Sequence, residues 1–153
     1  WSWSRGLGDV YKRQVKRWKG PFALKGVMSV EDAKRAIDIG ASAIMLSNHG
    51  GRQLDGSRSP FDQLKTIVDA VGGKIEIIVD GGIRRGTHVL KALSLGATAC
   101  SFGKGFLFAL SAGGQKGVET ILQRMKEELR RDMILLGKKK IEDLGEENIA
   151  IRN

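Results

Sequence analysis

Ile39-Gly40-Ala41-Ser42-Ala43-Ile44-Met45-Leu46-Ser47-Asn48-His49-Gly50-Gly51 decides the fold. A glycine-alanine joint ends one element, a short continuous apolar run comes next, and a polar, glycine-rich turn closes it. The joint recurs as Leu95-Gly96-Ala97-Thr98-Ala99. Along the chain, runs of this kind stand at Phe22–Val27, Ala43–Ser47, Ile75–Asp80 and Thr98–Phe102. Runs this short and this apolar predict strands buried on both faces. Helical segments lie between them, which predicts βαβ units and a parallel sheet. Barrels are built this way, and a doubly wound sheet would repeat the same unit.

The helices carry their own start and stop signals. Ser29-Val30-Glu31-Asp32 is a capping-box pattern. Val30, Ala33, Ala36 and Ile37 fall on one face, and Gly40 suits the left-handed cap. Ser59-Pro60-Phe61-Asp62 offers a hydroxyl cap, a first-turn proline and an acid at the positive end of the dipole. Phe61, Leu64, Ile67, Val68 and Val71 form its apolar stripe, with Gly72 as the stop. A third helix is expected from about Thr87 to Leu95, and a longer one through Val118, Ile121, Leu122, Met125, Leu129, Met133 and Leu136.

The 153 residues are 41% hydrophobic and 28% charged, with 21 glycines and 2 prolines. That composition fits one globular domain and excludes disordered and fibrous classes. No apolar run is long enough for a membrane span, and no signal peptide is read at the start. The lone Cys100 excludes an internal disulfide framework and fits a reducing compartment; a buried, inert thiol is expected. The expectation is a cytoplasmic protein, with Lys138, Lys139 and Lys140 in a solvated turn; the alternative, a contact to the inner membrane face, comes from the family resemblance given below. Net charge is +9, yet the basic residues are spread over helices and aromatics are only 6%, which argues against nucleic acid as a partner. Trp1 to Gln14 (W-S-W-S-R-G-L-G-D-V-Y-K-R-Q) show neither strand nor helix periodicity and differ in character from the rest of the chain. We expect a non-native leader over 1–14 and the domain over 15–153.

Polar residues gather at one end of the units. Lys25 lies near the end of the first run, Ser47, Asn48 and His49 come after the second, Asp80, Gly81 and Gly82 after the third, and Gly103 and Lys104 after the fourth. These are the C-terminal ends of parallel strands, where α/β barrels and open sheets place active sites. The opposite ends are plain glycine-alanine joints, and this asymmetry predicts an enzyme.

Two of these turns open helices: Asp80-Gly81-Gly82-Ile83-Arg84-Arg85-Gly86 and Gly103-Lys104-Gly105. Glycines let backbone N–H groups approach an anion, and helix starts add positive potential. Tight turns alone would also use glycines, but an adjacent Arg or Lys in each loop favours a phosphate. His49 is suited to move a proton near neutral pH. Arg52 is suited to grip a carboxylate with two parallel hydrogen bonds. Together they suit oxidation or enolisation beside an acid group; the pattern alone equally fits a loop histidine bonded to backbone with Arg52 in a surface ion pair. Lys25, in an apolar strand, needs a partner: an anionic cofactor, a Schiff base or a carboxylate. His88, on the helix beyond, is expected at the surface.

Leu24-Lys25-Gly26-Val27, S-N-H-G-G-R-Q-L-D at Ser47–Asp55, D-G-G-I-R-R-G at Asp80–Gly86 and F-G-K at Phe102–Lys104 occur in order. This set resembles the FMN-dependent α-hydroxy-acid dehydrogenases and oxidases, and the likeness extends from about Trp18 to about Ile149. Within that family it looks most similar to the L-lactate dehydrogenase branch. The resemblance implies the C-terminal half of a (β/α)8 barrel, about strands five to eight. It implies FMN as cofactor and His49 as the active-site base. Arg52 would bind the substrate carboxylate. Lys25 would face the flavin N1/O2 edge and stabilise its reduced, anionic form. Ser47 would touch the flavin, Asp80 would bind the ribityl chain, and Gly81, Gly82, Arg84, Gly103 and Lys104 would line the phosphate end. No metal is implied. The family usually has arginine where Lys104 stands; lysine keeps the charge and loses the fork.

A full barrel needs about 250 residues. The resemblance therefore implies a longer parent, a homo-oligomer, whose N-terminal half supplies the remaining substrate and flavin contacts. The implied reaction oxidises an L-2-hydroxy acid (L-lactate first, then glycolate or mandelate) to the 2-oxo acid. Quinone, cytochrome or oxygen would take the electrons, and the segment alone would be inactive. Two alternatives are an FMN barrel of isomerase type and a non-catalytic phosphate- or nucleic-acid-binding module.

Overall fold

The computed structural model describes residues 3–150, with side chains from residue 9. Four short strands alternate with helices: α1 (Trp3–Trp18), β1 (Ala23–Lys25), α2 (Val30–Asp38), β2 (Ala43–Leu46), α3 (Pro60–Val71), β3 (Glu76–Asp80), α4 (Gly86–Ser94), β4 (Ala99–Ser101) and α5 (Lys104–Leu135). The strands are all parallel and lie in chain order, β1-β2-β3-β4. That order separates the two architectures left open by the repeat. A doubly wound sheet reverses direction and places helices on both faces. Here every crossover steps the same way, and right-handed crossovers then put α2, α3 and α4 on one face.

The local signals act as their chemistry requires. Ser29 Oγ accepts the Asp32 amide at 3.1 Å and opens α2; Ser59 Oγ accepts the Asp62 amide at 3.1 Å and opens α3. Gly40 and Gly96 take φ of +81° and +92°, so the repeated joints are left-handed helix ends that only glycine adopts cheaply. Ala33 and Ala36 of α2, Leu64, Ile67 and Val71 of α3, and Ala92 of α4 pack on Ile44, Leu46, Ile77 and Val79 of the sheet. The small residues of α2 let that helix lie close.

The register shows what faces the other way. Ala23, Ala43 and Glu76 lie side by side, then Lys25, Met45, Ile78 and Ala99, then Asp80 and Ser101. Ala23, Lys25, Glu76 and Ala99 are exposed and Met45, Ile78, Asp80 and Ser101 half-buried; of this face only Ala43, at 9% exposure, counts as buried among the residues named. Strands expected to be buried on both faces are thus buried on one, and the second face is the concave side of an incomplete barrel.

One further difference from the sequence reading stands out. Residues expected to lack periodicity form α1, which turns Tyr11 and Val15, four apart, toward the body; a Cβ on Gly40 would lie 3.7 Å from Val15 Cγ1. A few half-buried residues, Val10, Tyr11 and Val15, are a weak signal in a stretch whose composition looks foreign. The helix expected to start at Lys104 and the longer one through Val118 to Leu135, together labelled α5, are two helices that meet at a kink at Gly113 (φ −153°, ψ 20°) and Gly114 (φ 54°, ψ −144°). No described helix is long and apolar enough to cross a membrane.

Candidate flavin and substrate site

Asp80 is the centre of the strand-end cluster. Its Oδ2 accepts from Lys25 Nζ and, at 2.8 Å, from Ser47 Oγ, and Ser101 lies beside it on β4. Parallel register makes this possible: Asp80 pairs with Ser101 across β3 and β4, and β2 ends between Lys25 and Asp80. Burial pushes the Asp80 carboxyl up, but hydrogen bonds from Lys25 and Ser47, with the nearby Ser101 hydroxyl, outweigh it and hold it below the usual carboxylate range. Lys25 finds its partner within the chain, and at 48% exposure it is not the buried cation that its apolar strand suggests. Its ammonium also approaches Met45 Sδ, at 3.5 Å.

Ser47, 1% exposed, links this cluster to His49. Its Oγ also accepts the His49 amide at 3.2 Å. His49 has φ of +54°, a backbone state uncommon outside glycine that costs roughly 1–3 kcal/mol and collects at functional sites. The turn is held by Asn48, whose side chain accepts the Gly50 amide at 3.0 Å and donates to Arg58 O at 3.3 Å. The strain turns the imidazole back over β1: a Cβ at Gly26 would stand 3.0 Å from His49 Nε2. Gly26, itself at φ +94°, leaves room for that ring. Lys104 reaches the same turn, since a Cβ on Gly50 would lie 3.5 Å from Lys104 Nζ.

The structure therefore brings together Lys25, Ser47, His49, Asp80 and Lys104. Arg52 stands beyond them on the exposed turn, in no ion pair among the described residues. Arg84 lies apart from the cluster. It lines a groove of about 610 Å³ against α5 with Arg85, Arg124 and Arg131, and no residue of the His49–Asp80 cluster borders that groove. The sequence reading gave no role to Ser101, Asn48 or Gly26, although Asn48 stood among the strand-end polar residues and Gly26 in a matched motif. Ser101 obeys the same strand-end rule as Ser47 and Asp80. The other two act through turn geometry that no spacing reveals. His88 is half-buried rather than a plain surface residue: its Nδ1 accepts the Arg84 amide at 3.2 Å and steadies that loop.

The two helix starts differ as anion sites. The first amide of α4, on Gly86, is already taken by the Glu128 carboxylate at 2.8 Å. The start of α5 has no side-chain cap on Gly103, open space beside that glycine and the Lys104 cation next to it. Gly82, at φ +75°, likewise faces open space. An anionic phosphate fits there, and these residues suit FMN.

The fold and cluster define a parallel α/β barrel segment that gathers charged and polar side chains at its strand ends. Residues 9–151 match the FMN-dependent dehydrogenase family, and the chain belongs to it. It is 47% identical over 136 residues to a pre-mycofactocin synthase of Mycolicibacterium smegmatis, covering 89% of this chain and 34% of that one. It is 48% identical over 124 residues to an L-lactate oxidase of Nostoc sp., covering 81% and 34%. A mandelate oxidase variant with (S)-mandelic acid superposes with a TM-score of 0.85 at 45% identity, covering 88% of this chain and 40% of that one. The same variant with a monooxide FMN adduct gives 0.77 at 50% identity, covering 80% and 39%. The family cofactor is FMN, and the fold is part of a (β/α)8 barrel. The chain spans about a third of the length of the curated relatives it matches. The family match also takes in residues 9–14.

Proposed function

We propose that these residues form the base-carrying half of an enzyme that oxidises an L-2-hydroxy acid, with L-lactate the first candidate, to the 2-oxo acid. One observation carries the reading: the Asp80 carboxylate joins Lys25 to Ser47, and Ser47 holds the amide of His49. Cation, carboxylate and base are thus one assembly at the strand ends. When bound, FMN supplies the two-electron acceptor. His49 receives a proton as the substrate is oxidised. Arg52 grips the substrate carboxylate, and its exposed turn leaves the guanidinium free to do so. Lys25, oriented by Asp80, turns its ammonium toward the concave face, where the reduced flavin would meet it. Ser47 and Asp80 meet the flavin body, while Gly81, Gly82, Arg84, Gly103 and Lys104 serve the phosphate.

The strands that complete the barrel belong, on this reading, to a longer parent, and this segment alone is inactive. Relatives with different printed activities share 45% to 48% identity, so overall identity does not choose the substrate. The test is anaerobic addition of L-lactate, glycolate and mandelate to the full-length protein while its visible spectrum is recorded. One of them should bleach the flavin band, and His49→Ala should slow that step by about 10²–10⁴-fold. A flavin that none of them bleaches would favour the isomerase-type barrel. A folded full-length protein with no flavin would end the proposal.

A further inference from the structure

The start of α4 is held by a group from a distant part of the chain. Arg85 occupies its cap position and makes no side-chain cap bond. Glu128, 42 residues beyond Gly86 and on α5, takes that place. Its Oε2 accepts the Gly86 amide at 2.8 Å, and its Oε1 accepts Arg85 Nε and Nη2 at 3.2 and 3.0 Å. One turn on, Asp132 Oδ2 accepts Thr87 Oγ1 at 2.5 Å. The contact is close enough to require glycine: a Cβ on Gly86 would collide with Met125 O and fall 2.5 Å from Leu129 N.

This clamp bears on the loop between β3 and α4. Asp80 ties down one end of that loop, Ile83 is buried in its middle, and Arg85 and Gly86 are tied to Glu128 at the other. Arg84 and Gly82 lie between the pins. Arg84 has its backbone fixed through His88, while its guanidinium enters no ion pair among the described residues. A carboxylate at the start of α4 also cancels much of the positive potential that would draw an anion there. The start of α5 keeps its own.

We propose that Glu128 is a positioning residue for the phosphate end of the flavin site. Acting through Arg85 and the Gly86 amide, it fixes the loop that presents Gly82 and Arg84, and it leaves the start of α5 as the anion's place. This rests on the flavin reading above.

The test compares FMN with riboflavin, which lacks the phosphate, by quenching of flavin fluorescence on the full-length protein. Amide exchange at Gly86 is followed in parallel. Glu128→Ala removes all three bonds to the loop and should weaken FMN binding by about tenfold or more and leave riboflavin unchanged, while Gly86 exchange speeds up. Glu128→Gln keeps an acceptor for Gly86, loses the charge that holds Arg85, and should fall between; it also serves if the alanine variant does not fold. An unchanged FMN-to-riboflavin ratio in both variants overturns the assignment while the flavin reading stands. A wild-type protein that binds neither flavin overturns both.

Discussion

On one face of the sheet Ile44, Leu46, Ile77 and Val79 are at most 1% exposed; on the other, Lys25 and Glu76 are exposed and Met45 and Ile78 half-buried. The same strands make both faces, one residue out of step. The first face is closed by helices that come directly after each strand in the chain, so short connections suffice to bury it. The second points toward a barrel axis and can be closed only by strands from elsewhere in the barrel. Stability in this segment therefore resides on the helix side, and its polar chemistry on the axis side.

The largest test of that contrast is a pair of neighbours on β3. Ile77→Ala should cost about 2–5 kcal/mol, whereas Ile78→Ala should cost under about 1 kcal/mol in this chain. Urea denaturation measures both, and equal losses would mean that the axis face is covered in solution. Next comes the joint that closes the helix side. Gly96→Ala places a side chain at φ +92° with its Cβ 2.7 Å from Val68 Cγ1, and should cost about 1–3 kcal/mol in the same assay. A smaller loss, about 1 kcal/mol each, is expected for Ser29→Ala and Ser59→Ala, since each removes a helix cap. Thermal unfolding would show whether the two losses add, as caps on separate helices should.

The smallest effect belongs to the axis face. Asp80 has its pKa lowered in the folded state, so its contribution is present above the unfolded carboxylate value near 4 and is lost as pH falls through the folded value. Lys25 is half exposed, and solvent screens the pair. Stability measured from pH 6 to 3 should fall less steeply in Lys25→Met than in the wild type. Identical slopes would remove Lys25 as the group that holds Asp80 charged.

Much of the site is legible in the sequence. Ser47, His49, Asp80 and Lys104 stand out because strand ends attract function and because each breaks an apolar run. Ser101 obeys the same rule but is masked by the glycine and lysine just beyond it. Asn48 and Gly26 are hidden for another reason: one shapes a turn through hydrogen bonds, the other matters by the side chain it lacks. Arg84 and Lys104 read as equals in sequence, yet Lys104 leans over the His49 turn while Arg84 lines a groove on α5.

By itself the sequence determined the parallel βα repeat, the capped helix starts at Ser29 and Ser59, the glycine joints at Gly40 and Gly96, and the polar strand ends. All of these are local, set by backbone conformation and by periodicity over a few residues. Only the tertiary structure decided that the sheet is a barrel segment rather than doubly wound, because strand order is a property of how units pack. It alone joined Lys25 to Asp80 across 55 residues and brought Glu128 to Gly86 across 42, since partners of a buried or clamped charge are chosen by proximity in space.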